Sequence, residues 1–409
     1  MSSRPPSLFP PVKEQLDIIR RGIAEIISEE ALADKLGRSI KSNKPLIVKL
    51  GCDPSRPDLH IGHSVVLRKL RQFQDLGHEA VLIVGDFTGM IGDPSGRSKA
   101  RPPLSLDETR RNGQSYFEQA TKILLKDRVT IMYNSEWLGA MSFADVIKLG
   151  SKYTVARMLE RDDFEKRYEG GDAIGVHEFL YPLAQAMDSV QIRADVELGG
   201  TDQKFNLLVG RDIQTEYGIE PQIVITMPIL PGTDGVQKMS KSYDNAIGIT
   251  ESPKEMYGKT LSIPDKLIYD YFVLLTDISP KELASVRKGI VAKPRDLKRR
   301  LAREIVARYH GDDAAKHAEE EFDRIFVQKE TPDAVEEVRL RNRSGSVNVV
   351  ELLTDTKLAS SKTEARRLVE QGGVSIDSKR VTNVKEEIPL KKDFVVKVGK
   401  RRFLKIITS

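Results

Sequence analysis

The sequence is poor in cysteine and in long apolar segments. Cys52 is the only cysteine among 409 residues, so no disulfide can form within the chain, and no Cys/His cluster has the spacing of a zinc site. No stretch approaches about 18 consecutive apolar residues, and residues 1–11 lack the basic and apolar segments of a signal peptide. These absences exclude a disulfide-stabilised secreted protein and a membrane protein, and they predict a soluble, cytoplasmic one.

Basic residues are concentrated near the carboxyl terminus. Residues 341–409 contain 16 Lys/Arg and 8 Asp/Glu, whereas residues 1–340 contain 49 Lys/Arg and 52 Asp/Glu. The overall net charge of +5 therefore conceals a basic terminal region on a slightly acidic chain. The length of the chain and its 39% hydrophobic content predict two or three domains with cores of their own.

Helical periodicity marks two regions of the chain. Apolar residues recur at helical spacing from Val12 to Ile27 and predict one amphipathic opening helix, which ends at the polar residues 41–44. Residues 253–328 show the same periodicity with interleaved Lys/Arg and Glu, so they are predicted to form a separate helical domain. Residues 341–346, Arg-Asn-Arg-Ser-Gly-Ser, have the composition of a linker.

Short apolar runs between these regions predict a parallel sheet. A strand, a turn-rich loop, a helix that stops near Gly77 and a second strand follow one another, which is the order of a βαβ unit. Such units normally cross over right-handed and leave a ligand crevice at the carboxyl ends of their strands. The predicted strands are residues 46–50, 80–84, 129–132 and 223–225.

The loop after the first predicted strand has features of a phosphate-binding site. It leads into His60-Ile61-Gly62-His63 at the start of the following helix. The free N–H groups of a helix amino terminus attract phosphates, imidazoles add donors, and Gly62 leaves room for a flat ring. Two other interpretations stay open. The histidines could belong to an ordinary helix start, or their i, i+3 spacing could serve a metal site, for which no third ligand is nearby in sequence.

A second segment, Lys238-Met239-Ser240-Lys241-Ser242, follows the glycine-bearing loop 231–235. Two lysines three residues apart on a loop can hold a polyphosphate as point charges. A solvated basic turn would have the same composition. The segment lies after the last predicted strand and before the helical region, where a second phosphate contact would be expected.

Together the two segments resemble the HIGH and KMSKS motifs of class I aminoacyl-tRNA synthetases, with a match at every position. The resemblance implies a Rossmann-type catalytic domain. In that family His60, His63, Lys238 and Lys241 would stabilise the pyrophosphate that leaves when an amino-acid carboxylate attacks ATP, and magnesium would arrive with the ATP. The implied ATP site comprises Asp53, Ser55, His60, Gly62, His63, Gly200, Asp202, Lys238, Met239, Ser240, Lys241 and Ser242.

Three further segments resemble tyrosyl-tRNA synthetases: residues 89–96, 181–188 and 198–203. In that family the position matching Asp188 accepts the phenol proton of tyrosine. Burying this carboxylate without a partner is costly, so a ligand without the hydroxyl would be disfavoured. Spacing alone also fits a polar stripe on an amphipathic helix. The implied tyrosine site comprises Gly51, Asp93, Tyr181, Gln185, Asp188 and Gln203.

Three positions depart from the common pattern of that family. Lys49 stands where a tyrosine often contacts the substrate hydroxyl, and Lys204 stands where a tryptophan follows the glutamine. The role of Lys49 is therefore left open. Cys52 replaces a larger apolar residue and is predicted to be a small core residue, although its thiol could lie near the site.

The carboxyl-terminal region resembles the RNA-binding module first described in ribosomal small-subunit protein four, over residues 358–384. Ser361 and Glu364 predict a capping box and a helix that ends at Gly372, and residues 394–398 and 403–407 predict a hairpin. A solvated basic tail is the alternative. The basic residues predicted to contact RNA phosphates are Lys362, Arg366, Arg367, Lys397, Lys400, Arg401 and Arg402.

The sequence therefore predicts an α/β fold with a Rossmann-type parallel-sheet catalytic domain, an all-helical domain and a small α+β RNA-binding domain. The predicted boundaries are 1–235, 236–335, a linker at 336–346, and 347–409. The resemblance implies ATP-dependent activation of tyrosine and its transfer to tRNA(Tyr) by a homodimer. A tryptophanyl-type enzyme, which lacks the terminal module, a non-catalytic RNA-binding protein and a cofactor nucleotidyltransferase are the alternatives.

Overall fold

The described part of the chain forms two compact units, Met1–Ala315 and Lys316–Ser409. A computed structural model describes residues 9–54, 58–93, 106–327, 336–340, 345–377, 379–399 and 402–408. The finer division, with boundaries near residue 235 and at 336–346, stays a prediction. No helix in the described ranges is long and apolar enough to cross a membrane.

A six-stranded sheet lies at the centre of the first unit. Its strands are β1 Glu25–Ile27, β2 Ile47–Cys52, β3 Glu79–Val84, β4 Val129–Tyr133, β5 Val196–Gly200 and β6 Ile223–Met227. The order is β1-β6-β5-β2-β3-β4, with β1 antiparallel to β6 and all other pairs parallel. The four predicted strands are confirmed as β2, β3, β4 and β6. The sequence does not predict β5, because Glu197 near its centre and two terminal glycines are unusual in a strand.

The single opening helix predicted from periodicity is wrong. The chain forms α1 Val12–Ile19, then β1, then α2 Glu29–Ser42. Gly22 has a φ of +69°, which ends the first helical segment, and the side chain of Ser28 caps α2 by accepting a hydrogen bond from the Ala31 N–H. Ile26 and Ile27 fit helical spacing, but they pair with β6 because an edge of the sheet is available to them.

Short helices connect and cover the strands. The helix predicted to stop near Gly77 is confirmed, because α3 Ile61–Asp75 ends before Gly77, which has a φ of +96°. The carboxyl end of β2 leads into α3, and that of β5 leads into α11 Lys204–Glu216, so the loops before these two helices lie at one edge of the sheet. The helices between α3 and α11 are α4 Thr88–Ile91, α5 Leu106–Ala120, α6 Ser135–Leu138, α7 Phe143–Gly150, α8 Val155–Met158, α9 Asp162–Glu169 and α10 Leu180–Ile192.

The region from residue 253 to 327 contains helices and no strand, as predicted. Serine and proline start two of its helices: Ser252 and Ser279 accept hydrogen bonds from the N–H groups three residues on, and Pro253 and Pro280 occupy the first helical turn. The helices are α12 Pro253–Leu261, α13 Ile268–Leu275, α14 Pro280–Gly289, α15 Pro294–His310 and α16 Asp312–Phe322.

The second unit is a small α+β module with its own buried core, which includes Leu353, Val369 and Val396. The elements are β7 Glu336–Arg339, β8 Ser346–Asn348, α17 Val349–Asp355, α18 Lys362–Glu370, β9 Val374–Ile376, β10 Lys379–Val381, β11 Glu387–Pro389, β12 Phe394–Val398 and β13 Arg402–Ile407. The sheets are β10-β9-β12-β13-β7 and β11-β8, and the predicted hairpin is confirmed as β12 and β13.

The predicted capping box of α18 is half correct. Ser361 accepts a hydrogen bond from the Glu364 N–H at 3.2 Å. The Glu364 carboxylate, however, accepts hydrogen bonds from the N–H and hydroxyl of Ser360 instead of returning to Ser361. The helix still starts where the sequence predicts, because one orphan donor of its first turn is satisfied.

Candidate functional site

His60 and His63 lie at the amino terminus of α3. The two rings stack with centroids 3.8 Å apart, and the His60 N–H donates to Nδ1 of His63 at 3.2 Å. Burial, which is the largest cause, and the nearby charges of Lys238 and Lys241 together lower the pKa of His60 to about 2 and that of His63 to about 4. Both imidazoles are therefore neutral near pH 7, and they can bind phosphate as hydrogen-bond donors rather than as cations.

The described residues around this histidine pair do not provide a set of metal ligands. Nδ1 of His63 already accepts a backbone hydrogen bond, and no group of three or more His, Cys, Asp or Glu side chains is arranged to hold a metal in the described ranges. Nδ1 of His60 is buried and lacks a hydrogen-bond partner there. The flat ring that lies against Gly62 in this structure is the His60 imidazole, because a Cβ at Gly62 would come within 2.9 Å of its Nδ1.

The lysine segment lies beside the histidine segment. Lys241 forms an ion pair with Asp58 at 2.6 Å, which joins two residues 183 positions apart in the chain. The Lys238 ammonium lies 3.6 Å from the carboxylate of Asp202, and Asp202 lies in the short segment that follows β5. The structure thus brings both sequence motifs together at the carboxyl ends of the parallel strands.

Asn245 gives the lysine segment its shape. Its side chain accepts from the Ser240 N–H at 2.8 Å and donates to the Lys238 carbonyl at 3.2 Å. The Ser240 hydroxyl accepts from the Ser242 N–H, and Met239 is buried. The loop is therefore held by hydrogen bonds that leave both lysine ammonium groups on the site side.

Four residues of the predicted site are connected by hydrogen bonds. The Tyr181 hydroxyl donates to Asp53 at 2.8 Å, and the Gln203 amide donates to Asp93 at 2.9 Å. Asp53 also accepts from the Thr88 hydroxyl at 2.7 Å. Tyr181 lies on α10 and Gln203 directly before α11, so the packing of these two helices brings the pairs to one place. Ser55 lies outside the described residues.

Asp188 is a buried carboxylate on α10 with two donors that the sequence does not predict. Nε1 of Trp137 donates to it at 3.0 Å, and the Asn134 amide donates at 3.4 Å. Burial raises the pKa of Asp188 to about 7, against the lowering effects of Lys49, Trp137 and Asn134. Trp137 is the only tryptophan of the chain, which is the one signal that could have drawn attention to it. Each carboxylate oxygen keeps capacity for one more donor from a ligand.

Lys49, whose role the sequence leaves open, is fully buried. Its ammonium lies 2.9 Å from the Glu197 carboxylate and donates to the Ser189 hydroxyl at 2.8 Å and to the Gln185 carbonyl at 3.0 Å. Lys204, by contrast, pairs with Glu25 in a half-exposed position. The two lysines that depart from the family pattern thus have different surroundings.

A second buried cation supports Gln203. Arg161 donates to the Asn206 side chain at 3.2 Å, and Asn206 in turn donates to Oε1 of Gln203 at 3.0 Å. The guanidinium also lies 4.0 Å from Asp93. These contacts hold the Gln203 amide from the side opposite Asp93, and the sequence gives no local signal for them.

The small residues near the site differ in their surroundings. A Cβ at Gly51 would meet nothing within 4 Å, whereas one at Gly200 would come within 2.6 Å of the Asp202 carboxylate. Cys52 is partly exposed rather than a core residue, which corrects the prediction; its thiol lies 3.5 Å from the Ile83 carbonyl, and desolvation raises its pKa.

Three of the basic residues predicted to contact RNA lie on α18. Lys362, Arg366 and Arg367 are exposed on this helix. Arg402 is exposed and donates to the Leu358 carbonyl at 2.8 Å, and the Lys397 ammonium lies over the Phe403 ring. Lys400 and Arg401 lie outside the described residues.

Comparison with known proteins covers nearly the whole chain. Residues 41–327 match the family described as tRNA synthetases class I (W and Y), and residues 328–406 match the Tyrosine--tRNA ligase SYY-like C-terminal domain. The chain is 58% identical to the Tyrosine--tRNA ligase of Chlorobium luteolum over 98% of this chain and 99% of that protein. It is 55% identical to the enzyme of the same name from Thermotoga maritima over 96% and 97% of the two chains.

Solved structures share the fold of about three quarters of the chain. A C-terminally truncated mitochondrial tyrosyl-tRNA synthetase from Aspergillus nidulans superposes with a TM-score of 0.62 at 24% identity, over 77% of this chain and 94% of that one. The tyrosyl-tRNA synthetase of Aeropyrum pernix gives a TM-score of 0.59 at 22% identity, over 76% and 98%. Because the identity is below 25%, these matches bear on the fold alone. Together with the family matches they confirm the predicted fold class.

Proposed function

This chain belongs to the tyrosyl-tRNA synthetases of class I, and on that premise we propose how its residues divide the work of the reaction. The family uses ATP to activate L-tyrosine and then transfers the tyrosyl group to tRNA, and this chain does the same. The observation that supports a single site for both substrates is the Lys241–Asp58 ion pair, which joins the two nucleotide motifs at the edge of the sheet where Asp53 binds Tyr181.

Tyrosine is recognised at its two ends. The hydroxyl donates to Asp188, which Trp137 and Asn134 hold in place inside the pocket. The α-ammonium and carboxylate are bound among Asp93, Tyr181, Gln185 and Gln203, with the open space over Gly51 available to the ligand. Carboxylates and amides suit an ammonium, and their mutual hydrogen bonds fix their orientation before the substrate arrives.

Activation proceeds by positioning and charge stabilisation. A carboxylate oxygen of tyrosine attacks the α-phosphorus of ATP, and the bond to the bridging oxygen of the β-phosphate breaks, so pyrophosphate leaves. His60 and His63 donate hydrogen bonds as neutral imidazoles, and Lys238 and Lys241 supply positive charge. To do so, each lysine exchanges its carboxylate partner, Asp202 or Asp58, for phosphate oxygens.

The rest of the ATP site is built from the same loops. Asp53, Gly62, Gly200, Asp202 and the segment 239–242 surround the position of the nucleotide, and Ser55 is assigned to it from the sequence alone. Magnesium reaches the site as part of the ATP substrate and shares the phosphate charge. No tightly bound cofactor is required by this mechanism.

Transfer to tRNA uses the second unit for binding. The 3′-terminal ribose hydroxyl of tRNA(Tyr) attacks the mixed anhydride, and the tyrosyl group moves to the RNA while AMP leaves. Lys362, Arg366, Arg367 and Arg402 are exposed cations that can contact RNA phosphates, and Lys400 and Arg401 are assigned to the same surface from the sequence. As the working division of the chain we propose the domains predicted from the sequence, at 1–235, 236–335 and 347–409, with the linker at 336–346.

An exposed apolar surface on the first unit supports a homodimer. Phe143 is 80% exposed, and Ile147 on α7, Val155 on α8 and Val176 between α9 and α10 are exposed as well. Large apolar side chains that a monomer leaves exposed can be buried by a partner, and a second copy of the chain is the partner that the family implies. We place the dimer in the cytoplasm, where protein synthesis takes place.

The decisive experiment is pyrophosphate exchange into ATP with tyrosine, phenylalanine, tryptophan or no amino acid. Exchange with tyrosine alone is expected. Exchange with tryptophan would overturn the pocket assignment around Asp188, and no exchange with any amino acid would favour a non-catalytic RNA-binding protein. The names of the full-length relatives and the intact nucleotide motifs argue against both of these alternatives.

A further inference from the structure

A buried ion pair lies beneath the proposed tyrosine pocket and takes no part in the mechanism above. Lys49 on β2 and Glu197 on β5 are direct partners in the register of two parallel strands. Both are almost fully buried, at 0% and 1% exposure, and their charged atoms are 2.9 Å apart. Side chains at paired positions project from the same face of a sheet, and here that face packs against α10.

The ammonium of Lys49 is completely satisfied. Its three N–H donors contact the Glu197 carboxylate, the Ser189 hydroxyl and the backbone carbonyl of Gln185. Both helix contacts are on the segment of α10 that carries Gln185 and Asp188. Because replacing a buried ion pair with apolar residues is often neutral or stabilising, stability alone does not explain why charges are placed here.

Glu197 determines which end of the Gln185 side chain faces it. One carboxylate oxygen accepts from Nε2 of Gln185 at 3.1 Å, and the other accepts from the Ser189 hydroxyl at 3.1 Å and from the Gln222 amide. An ionised carboxylate can only accept hydrogen bonds, so the amide nitrogen of Gln185 must point toward it. Oε1 of Gln185 then points the other way, as the acceptor left for a ligand.

We propose that the Lys49–Glu197 ion pair is a positioning device that orients the side-chain amide of Gln185, so that Oε1 of this amide accepts a hydrogen bond from the α-ammonium of the substrate. This role rests on the proposed function, because it assumes that Gln185 borders the tyrosine amino group. Glu197 fixes which end of the Gln185 side-chain amide faces it. Lys49 balances the negative charge of Glu197 and holds the backbone carbonyl of Gln185. The pair therefore makes the pocket selective for ligands that carry an ammonium group.

The test separates the ammonium from the rest of the substrate. Binding of tyrosine, of tyramine, which lacks the carboxylate, and of 3-(4-hydroxyphenyl)propionate, which lacks the ammonium, is measured by calorimetry and by competition. With Glu197→Gln, the amide of Gln185 can turn over, and tyrosine and tyramine are expected to bind about tenfold more weakly or worse, the effect of one hydrogen bond to a charged group. Binding of the propionate is expected to change by less than about twofold.

Two further variants separate orientation from folding. Glu178 is a matched buried carboxylate that pairs with Arg167 at 2.6 Å and does not contact Gln185, so Glu178→Gln should leave the ratio of tyramine to propionate affinity unchanged. The double change of Lys49→Met with Glu197→Gln removes both charges at once, and it should reproduce the ammonium-specific loss even if the single variant folds poorly.

The outcomes are distinct. A loss that is selective for the two ammonium ligands supports the positioning role. An equal loss for all three ligands in Glu197→Gln and in the double variant would overturn it, because the pair would then only support the fold. Failure of the unmodified protein to bind tyrosine would instead overturn the proposed function on which this inference rests.

Discussion

Lowering the pH from 8 to 6 is expected to reduce kcat/KM for tyrosine activation, because the charge of Asp188 changes within that interval. Burial raises the pKa of this carboxyl from 3.8 to about 7. The raised pKa means that the neutral acid is favoured in the folded protein below that pH. In the neutral acid one oxygen carries a proton and acts as a donor, whereas Trp137 and Asn134 each donate to one of the two oxygens. The neutral form therefore accepts the hydrogen bond from the tyrosine hydroxyl less well than the ionised form.

The size of the effect follows from the fraction of Asp188 that is ionised. With a pKa of about 7, roughly nine tenths of the carboxyl is ionised at pH 8 and roughly one tenth at pH 6. The value of kcat/KM, which reports the free enzyme, should therefore fall about tenfold. His60 and His63, with pKa values of about 2 and 4, stay neutral throughout this range and contribute no slope.

The assay is pyrophosphate exchange at subsaturating tyrosine and saturating ATP, at intervals between pH 6 and 8. Lys69 is a second group to control for, because burial lowers its pKa to about 7. Its ammonium donates to the carbonyls of Ile19 and Arg21, away from the site, so its titration should change the melting temperature rather than the affinity for tyrosine. The melting temperature is therefore measured at each pH.

The matched control is Asp188→Asn, which cannot ionise and should show low activity with no slope across the same range. The reasoning would be refuted if kcat/KM of the unmodified enzyme changed by less than about twofold between pH 6 and 8. Retention of the full slope by Asp188→Asn would also refute it, since another group would then be responsible.

Three further predictions test the other parts of the assignment. Lys241→Ala should lower kcat for adenylate formation about a hundredfold in single-turnover assays while KM for tyrosine stays within about twofold, and a change in KM alone would contradict its role at the phosphates. Replacing Arg366 and Arg367 with alanine should weaken tRNA binding and reduce the slope of log affinity against log salt by about two, and an unchanged slope would remove them from the RNA surface. Phe143→Glu should convert a dimer to a monomer in sedimentation velocity, whereas a dimer that persists would place the interface elsewhere.

Much of the fold could be predicted because its signals are local. The strands β2, β3, β4 and β6 are short runs of apolar residues, and the helices after residue 253 begin at serine caps followed by proline, so neighbouring residues suffice to indicate them. The opening segment could not be predicted in this way. Ile26 and Ile27 satisfy helical spacing and strand pairing equally well, and only the free edge of β6 decides between them.

The two nucleotide motifs and the candidate tyrosine residues could be recognised from the sequence alone, because each is a short continuous segment whose residue types suit phosphate or an amino acid. Only the tertiary structure decided what surrounds them. Asp58 and Lys241 meet across 183 positions, Trp137 reaches Asp188, and Lys49 meets Glu197 because β2 and β5 are adjacent in the sheet. The physical reason is that the burial of a side chain, its pKa and the orientation of an amide depend on which groups the folded chain brings within hydrogen-bond distance. The order of strands in the sheet decides which groups these are, and no local stretch of residues determines that order.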